Sequence, residues 1–469
     1  MTTPHQSIFD ALSAALGSDA VLDPGRVADR ATSYWNPAPM QAAALVRPRT
    51  TAELSAVLKL CNERGQSVVT HGGLTGCVEG AISDSRDVIV SLERMNAIEE
   101  IDSIGRTATV QAGVALQKLQ ETVREQGLYF PLDLGARGSC TIGGNVATNA
   151  GGINVIRYGM MRQRVLGLEA VLADGRIVSS MNRMLKNNAG YDLKHLFIGS
   201  EGTLGIVTRV IVQLEEAPSS RNSAMLALDS FAQVTSLLRH VQKSLGGKLC
   251  AFEVMWGQYF HTVTAPGFHR APMGRDHAFY VMLEAEGAQP EADQEGFLAT
   301  MEQALEQQIA ADVVIPGSET ERRALWEIRE NFQALYEHKP IFLYDVSLPI
   351  RDMDAYIREV QQRLKARWPD SICNVIGHIG DGNLHLFVHP GTEGEGLHKL
   401  ADDDVYLPLQ AIGGSISAEH GIGTEKCARL PISRSAIEIE LMRTLKRTLD
   451  PGGILNRGKV VALQAADAA

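Results

Sequence analysis

Three segments dense in glycine, asparagine, threonine and serine limit what this chain can fold into more than any other feature. The first spans residues 70–76 (THGGLTG), the second 131–152, which contains TIGGNVATNAGG, and the third 199–206 (GSEGTLGI). Glycine allows positive φ and close approach of the backbone to a ligand. Successive N–H groups in such turns form concave sites for phosphate oxygens. One such segment is an ordinary tight turn, but three in one region predict a binding site for a phosphate-containing ligand.

The glycine segments do not have the spacing of the two common nucleotide motifs. Neither a GxGxxG leading from a strand into a helix nor a GxxxxGK[ST] loop occurs in the chain. A Rossmann or P-loop interpretation therefore has little support.

Strand and helix patterns alternate around these segments. TAELSAVLKLCNERG is helical, with Thr51 as a candidate N-cap and Gly65 as the stop, and short strand patterns flank it. This alternation predicts an α+β or α/β domain over residues 40–217.

Pattern changes along the chain predict the remaining domain boundaries. Residues 218–430 carry longer helical patterns with strands among them and read as a second α+β domain. Residues 1–39 precede the first domain as a helical segment. Residues 431–469 form a helix that ends in a proline-glycine turn.

The composition excludes some classes of function. The formal net charge of −11 argues against nucleic acid as a partner, though not against a small anionic substrate. The six cysteines are scattered, which indicates free thiols in a reducing compartment. No signal peptide and no membrane-spanning run is recognisable. We therefore expect a cytoplasmic protein; docking on the inner membrane surface stays open.

A second motif lies in the second domain, where GHIGDGNLH is followed by SAEHGIG. The Gly-Asp-Gly-Asn run around Asp381 predicts a turn between two strands, which can bring His378 and His385 together. Adding Glu419 gives a His/His/carboxylate set that suits Zn²⁺ or Mn²⁺. His420, pointing another way, is a candidate general base. Hydrogen-bonded structural histidines are the alternative.

The glycine segments resemble those of a known family. Together with Arg157-Tyr158-Gly159 and LEAVLADG at 168–175, they closely resemble the FAD domain of the vanillyl-alcohol oxidase/p-cresol methylhydroxylase (PCMH)-type flavoproteins. The resemblance implies an α+β fold. Its parts are a two-subdomain PCMH-type FAD-binding domain, an α+β substrate (cap) domain, and a C-terminal helical segment that returns to the flavin.

The same resemblance assigns the FAD contacts. In that family the first segment and TIGGNVATNAGG surround the pyrophosphate, and GSEGTLGI reaches the adenine, the ribose and the neighbours of the pyrophosphate. The implied FAD-binding residues are Thr70, His71, Gly72, Gly73, Leu74, Thr75, Gly76, Pro131, Asp133, Leu134, Gly138, Ser139, Thr141, Ile142, Gly143, Gly144, Asn145, Ala147, Thr148, Asn149, Gly152, Glu201, Gly202, Gly205, Ile206 and Asn456. His71 departs from the arginine that relatives often carry. We expect non-covalent FAD, with His71 either hydrogen-bonded near a phosphate or on the surface.

The histidine motifs resemble the D-2-hydroxyglutarate and D-lactate dehydrogenase branch of this family, as do LWEIRE at 325–330 and YDVSLP at 344–349. The resemblance implies that His378, His385 and Glu419 bind the metal and that His420 is the general base. It also implies that the substrate meets His378, His385 and His420, with Arg329 clamping its carboxylate. The planar fork of arginine suits that task.

Three departures bear on the substrate. Relatives specific for D-2-hydroxyglutarate have Lys, Asn and Thr where this chain has Leu343, Phe387 and Gln333. A second carboxylate beside Leu343 and Phe387 would lack a charged partner. We therefore predict a D-2-hydroxy acid with an apolar or aromatic side chain, such as D-mandelate, a D-2-hydroxyalkanoate or D-lactate. D-2-hydroxyglutarate is the alternative, since Gln333 still offers a hydrogen bond.

Further alternatives stay open at this point. The chain could be an oxygen-using oxidase of the same family, or a non-catalytic subunit resembling part of a glycolate oxidase complex. The expected electron acceptor is an electron-transfer flavoprotein or a quinone. A homodimer is one possible assembly.

Overall fold

The computed structural model describes residues 7–463, which divide into two compact units. Among the described residues, unit 1 comprises 7–151, 160–217 and 419–463, and unit 2 comprises 152–159 and 218–418. The ends of the proposed 1–39 and 431–469 segments, residues 1–6 and 464–469, lie outside the described part. Residues 419–430, which the sequence analysis placed with the second domain, belong to unit 1.

Unit 1 is a mixed α+β unit. Its helices are α1 (Ile8–Leu16), α2 (Pro24–Ala28), α3 (Thr51–Glu63), α4 (Leu116–Arg124), α5 (Ile142–Thr148), α7 (Met161–Arg164), α8 (Lys194–Phe197) and α15 (Ala436–Leu449). Its strands are β1 (Val21–Leu22), β2 (Ala44–Val46), β3 (Val68–His71), β4 (Val88–Ser91), β5 (Ile98–Asp102), β6 (Thr107–Gln111), β7 (Leu128–Tyr129), β8 (Val165–Val171), β9 (Ile177–Ser180), β10 (Ile206–Gln213) and β11 (Glu215–Glu216).

The first sheet of unit 1 has the order β1-β2-β4-β3, with β4 parallel to both β2 and β3. The β-branched runs in β3 and β4 suit a buried parallel sheet. The C-terminal segment returns to its edge, because Leu455 pairs with Val68 and the Asn456 amide donates to the Val68 carbonyl at 2.9 Å.

The second sheet of unit 1 is antiparallel, in the order β5-β6-β10-β8-β9. Apolar residues of these strands and of α4 and α5 share one core cluster. Helix α3 begins one residue earlier than its predicted cap implies, because the Thr50 hydroxyl, not that of Thr51, accepts the Glu53 amide.

Unit 2 is built on one sheet. Its helices are α6 (Val155–Tyr158), α9 (Phe231–Leu245), α10 (Gly257–Val263), α11 (Pro290–Glu306), α12 (Glu319–Glu330), α13 (Met353–Arg367) and α14 (Leu397–Ala411). Its strands are β12 (Ser220–Leu228), β13 (Leu249–Trp256), β14 (Phe279–Gly287), β15 (Asp312–Val314), β16 (Phe342–Ser347), β17 (Ile372–His378) and β18 (Asn383–His389).

The seven strands of this sheet have the order β15-β12-β14-β13-β17-β18-β16, and each neighbouring pair is antiparallel. Residues of α10 and α12, including Tyr259 and Trp326, pack on its apolar side chains in one cluster. β17 and β18 form a hairpin whose turn contains Asp381, and Gly382 adopts a φ of +91°, as the sequence predicted.

Within residues 7–463, no helix is both long and apolar enough to cross a membrane.

Candidate active site

The first two glycine segments lie against each other in unit 1. A Cβ on Gly72 would come within 2.7 Å of the Thr141 hydroxyl, and one on Gly73 within 2.1 Å of the Ser139 carbonyl oxygen. Larger residues cannot occupy these two positions without displacing the second segment. The structure therefore brings together two loops that are about 70 positions apart.

The segment TIGGNVATN forms helix α5 and its two caps. The Thr141 hydroxyl accepts the Gly144 amide at 3.3 Å, and Asn149 ends the helix in the left-handed region. Gly143 lies on the backbone of Ala112, where a Cβ would meet the carbonyl oxygen at 2.9 Å. The Ile142 side chain is buried in the core. Contacts of Ile142 with a cofactor would therefore involve its backbone.

The third segment joins the C-terminal segment. The Asn456 side chain accepts the Thr70 amide at 2.9 Å and donates to the Glu201 carbonyl at 2.6 Å. Gly202, with φ +72°, leaves no room for a Cβ, which would lie 2.8 Å from Asn456 Nδ2. Four of the residues assigned to FAD thus meet at one place.

The Glu201 side chain binds protein backbone. Its two carboxylate oxygens accept the amides of Ile422 and Gly423 at 2.7 and 2.9 Å. Burial raises the pKa of this carboxyl, and the two amides oppose that effect. Glu201 thereby anchors the glycine-rich segment that follows His420 in the chain.

His71 is buried, so its assignment to the surface is wrong. Its Nε2 lies 2.8 Å from the Ala81 carbonyl oxygen. Burial lowers the pKa of the ring to about 4, which keeps it neutral.

The hairpin of unit 2 brings two of the predicted metal ligands together. The ring centroids of His378 and His385 are 5.3 Å apart, and both rings are buried. Each ring has a carboxylate near Nδ1: Glu253 lies 2.6 Å from His378, and Asp345 lies 3.8 Å from His385. This arrangement resembles the carboxylate–histidine pairs that orient metal ligands.

Arg329, at the end of α12, is buried and reaches the same carboxylate as His378. Its Nε donates to Glu253 at 2.8 Å. Burial alone would raise the pKa of Glu253, but the nearby His378 and Arg329 outweigh it and hold the pKa below its usual value. Glu253 is therefore an ionised carboxylate inside the unit.

The three residues that bear on substrate choice are placed differently. Leu343 lies directly opposite Phe387 on β16 and β18, and the next pair on the same face is Asp345 with His385. Gln333 is exposed in a 3₁₀ turn that begins at Phe332. Leu343 and Phe387 thus share the strand face of His385, and Gln333 lies on a turn.

Glu419, the third predicted metal ligand, and His420, the predicted base, lie in unit 1, whereas His378 and His385 lie in unit 2. They follow Ala418, the last residue of unit 2, whose amide donates to Asp345 Oδ2 at 2.9 Å. The Ser417 hydroxyl donates to the same oxygen at 3.2 Å. Asp345 therefore anchors the chain directly before Glu419.

Glu253, Asp345 and Phe332 have no role that was predicted from the sequence. Glu253 is the single charged residue in the otherwise apolar strand LCAFEVMW, which is a usable signal. Asp345 lies opposite His385 in the sheet, so the pairing of β16 with β18 was needed to find it. Phe332 stacks on Phe387 with ring centroids 5.5 Å apart.

A second acidic group in unit 2 has the wrong partners for a metal site. Glu284 and Glu286 lie beside Cys250, but both carboxylates already bind Arg221, at 3.3 and 2.6 Å. All six cysteines lie in the described part of the chain, and no disulfide joins any of them there, as predicted.

Comparison with known proteins shows the family. Residues 42–180 match the family model described as "FAD binding domain", and residues 217–460 match "FAD linked oxidases, C-terminal domain". A D-2-hydroxyglutarate dehydrogenase of Xanthomonas citri pv. viticola is 41% identical over 92% of this chain and 90% of its own. A putative mitochondrial D-lactate dehydrogenase of Schizosaccharomyces pombe is 37% identical over 87% of this chain and 80% of its own.

The fold is also that of a solved structure. p-Cresol methylhydroxylase with bound substrate superposes with a TM-score of 0.76 at 17% identity, covering 97% of this chain and 96% of the other. The chain belongs to the FAD-linked oxidases of the vanillyl-alcohol oxidase/PCMH type. Within that family it lies in the D-2-hydroxyglutarate and D-lactate dehydrogenase branch and is an FAD-linked D-2-hydroxyacid dehydrogenase.

Proposed function

We propose that the chain oxidises a D-2-hydroxy acid with an apolar or aromatic side chain to the 2-oxo acid. The observation that carries this proposal is the Leu343–Phe387 pair on the strand face of His385. Phe332, stacked on Phe387, adds a third apolar side chain near the Arg329 guanidinium, whose Cζ lies 5.9 Å from the Phe332 ring centroid. Because Arg329 is assigned to the carboxylate beside the hydroxyl, a distal carboxylate placed there would be desolvated without a cationic partner of its own.

The names of the relatives favour D-2-hydroxyglutarate instead. The Xanthomonas and bovine relatives are both named for that substrate, whereas the Schizosaccharomyces relative is named for D-lactate. On the comparisons alone, D-2-hydroxyglutarate is therefore better supported than an apolar D-2-hydroxy acid. It is the second candidate substrate. The two candidates differ in whether the substrate carries a second negative charge.

The glycine segments of unit 1 are the proposed site for non-covalent FAD. The Thr70 hydroxyl supports this fit, because within residues 7–463 it is buried without a hydrogen-bond partner. It lies at the junction with Gly202 and Asn456. A Cβ on Gly76 would meet nothing within 4 Å, so this loop also has an open side. FAD bound there would supply the acceptor for the hydride from the substrate Cα.

His378, His385 and Glu419 are the proposed ligands of a divalent metal, Zn²⁺ or Mn²⁺. Two buried imidazoles fit such an ion, because Glu253 holds His378 at Nδ1 as carboxylates hold metal-binding histidines, and the Asp345 carboxylate lies 3.8 Å from Nδ1 of His385. The metal, when bound, would supply a Lewis acid for the substrate hydroxyl. Metal analysis of the purified protein identifies the ion.

We assign the remaining chemistry to two side chains. Arg329 would bind the substrate carboxylate with its two terminal nitrogens, since its Nε is already engaged by Glu253. His420 would accept the hydroxyl proton as the hydride leaves Cα, which yields the 2-oxo acid. The electrons would pass on to an electron-transfer flavoprotein or a quinone. We propose a cytoplasmic location for the protein.

Anaerobic bleaching of the flavin tests this function. FAD-loaded protein is mixed with D-mandelate, D-lactate, D-2-hydroxybutyrate, D-2-hydroxyglutarate and their L-enantiomers, and the reduction rate is recorded for each. We expect the apolar D-acids to reduce the flavin faster than D-2-hydroxyglutarate. The opposite order would establish the second candidate. Hydrogen peroxide formed with substrate in air would identify an oxidase.

A further inference from the structure

Glu253 is a buried carboxylate in the middle of an apolar strand. All eight residues of β13 are buried, and Glu253 is the only charged residue among them, with 0% of its surface exposed. An unpaired carboxylate at such a position costs several kcal/mol, so its partners determine whether the strand can fold.

Its two oxygens serve two different side chains. Oε2 accepts from Arg329 Nε at 2.8 Å, and Oε1 accepts from His378 Nδ1 at 2.6 Å. A carboxylate can only accept, so His378 must carry its proton on Nδ1. One rigid strand residue therefore orients both the proposed substrate clamp and a proposed metal ligand.

Each contact engages one nitrogen of its group. With Nε engaged, the plane of the Arg329 guanidinium is fixed, and no hydrogen bond to its terminal nitrogens is found in the part of the chain that the structure describes. With Nδ1 engaged, Nε2 is the nitrogen of His378 that can coordinate a metal.

We propose that Glu253 is a positioning residue that holds the Arg329 fork and the Nε2 of His378 in the geometry needed for substrate and metal. This inference rests on the proposed function. It adds to that function one carboxylate that orients the residues binding the substrate and the metal. The carboxylate itself contacts neither the substrate nor the metal.

The competing explanation is a structural ion pair that merely stabilises the sheet. Glu286, on the neighbouring strand β14, is the matched control. It is also buried and binds an arginine, Arg221, at 2.6 Å, together with the Tyr158 hydroxyl at 3.2 Å. It contacts none of the residues assigned to metal or substrate.

The test compares Glu253→Gln with Glu286→Gln in the FAD-loaded, chelator-treated protein. A glutamine at 253 offers one acceptor oxygen and turns an amide N–H₂ towards the other donor. We expect it to lower the affinity for added Zn²⁺ about 10- to 100-fold and to raise KM for the D-2-hydroxy acid, with FAD content unchanged. Glu286→Gln should change neither value. Equal effects of the two variants, or Zn²⁺ affinity unchanged in Glu253→Gln, would overturn the proposal.

A second comparison covers the case in which Glu253→Gln does not fold. Glu253→Gln combined with Arg329→Gln removes the buried pair as a whole and avoids an unpaired charge. This double variant should bind Zn²⁺ about 10-fold more weakly than Arg329→Gln alone, and equal binding overturns the proposal.

The Zn²⁺ measurement is read without turnover. A wild-type flavin that no 2-hydroxy acid bleaches would refute the proposed function, yet the effect of Glu253 on His378 would still be decided. A wild-type protein that binds neither Zn²⁺ nor Mn²⁺ would overturn the proposal made for Glu253.

Discussion

The carboxylate of Glu201 holds the backbone amide of Gly423 at 2.9 Å across 222 positions of the chain. The other oxygen holds the amide of Ile422. Gly423 has φ +52°, and a Cβ there would lie 1.8 Å from the Val78 carbonyl oxygen. Only glycine therefore fits at this position without displacing the backbone around Val78. Glu201 therefore fixes the backbone of the segment that follows His420, the proposed base. It does so in addition to any contact with FAD.

Glu201→Gln tests this anchor. A glutamine replaces one acceptor oxygen by a donor that faces a backbone N–H, and a lost hydrogen bond to a charged group is worth about 1.5–3 kcal/mol. We expect the rate of flavin reduction by substrate to fall about 10- to 100-fold, with FAD content retained, because His420 is less well placed. A full reduction rate in stopped-flow measurements would contradict this role.

Leu343→Lys tests the basis of substrate choice. A lysine opposite Phe387 restores a cation on the strand face of His385. Because charge-assisted hydrogen bonds contribute about 1.5–3 kcal/mol, we expect kcat/KM for D-2-hydroxyglutarate to rise at least about 10-fold relative to D-lactate. Leu343→Met, of similar length and neutral, is the control and should leave the ratio unchanged. An unchanged ratio in the lysine variant would argue against this position as the selector.

His420→Asn tests the assignment of the base. Asparagine cannot take up the hydroxyl proton, and general-base catalysis contributes about 10²- to 10⁴-fold. We expect flavin reduction to slow by that factor while FAD and metal contents stay those of the wild type. A variant with normal contents and undiminished turnover would remove His420 from the mechanism.

Local patterns in the sequence predicted the features that depend on local structure. The Gly-Asp-Gly-Asn turn predicted that His378 and His385 would lie together, because a hairpin needs only neighbouring residues. Glu253 stands out locally as a charge in an apolar strand, but its partners could not be found in this way, since Arg329 and His378 are 76 and 125 positions distant. Sheet order, which no local pattern encodes, places Glu253 opposite His378, and the packing of α12 on the sheet adds Arg329.

The burial of His71 likewise could not be predicted from local sequence. Its position beside a glycine pair is visible in the sequence, but its burial depends on the path of the loop back to Ala81. The FAD assignments of Ile142 and Ile206 rest on motif resemblance, and the structure adds that both side chains lie in core clusters. Motif matching identifies a loop, whereas packing decides which atoms of that loop remain for a ligand.

Asp450 holds the C-terminal segment onto unit 1. Its Oδ2 binds Lys446 Nζ at 2.5 Å and the Leu455 amide at 2.8 Å, and its Oδ1 accepts the Ile454 amide. Both charged groups are buried. Asp450→Ala should lower the free energy of unfolding by about 3–5 kcal/mol, because it leaves a buried lysine without its counter-ion.

An exposed pair serves as the control for this measurement. Glu359 binds Arg363 at 2.7 Å on the surface of α13. Glu359→Ala should cost less than about 1 kcal/mol. Denaturant unfolding followed by circular dichroism compares the two variants. Similar losses of unfolding free energy would show that the buried pair stabilises the fold no more than the exposed pair does.

The buried ring of His71 predicts how stability depends on pH. Its pKa is lowered by burial to about 4, whereas the ordinary value is 6.5. Between pH 6.5 and 4 the unfolded chain binds a proton at this ring that the folded chain does not, so folding stability falls as pH decreases through this window. At 1.36 kcal/mol per pH unit the loss reaches about 3 kcal/mol. His71→Gln has no proton to bind, so the fall in unfolding free energy between pH 6.5 and 4 should be smaller by about that amount. An identical pH dependence in the variant and the wild type would show that the ring is protonated in the folded protein as readily as in the unfolded chain.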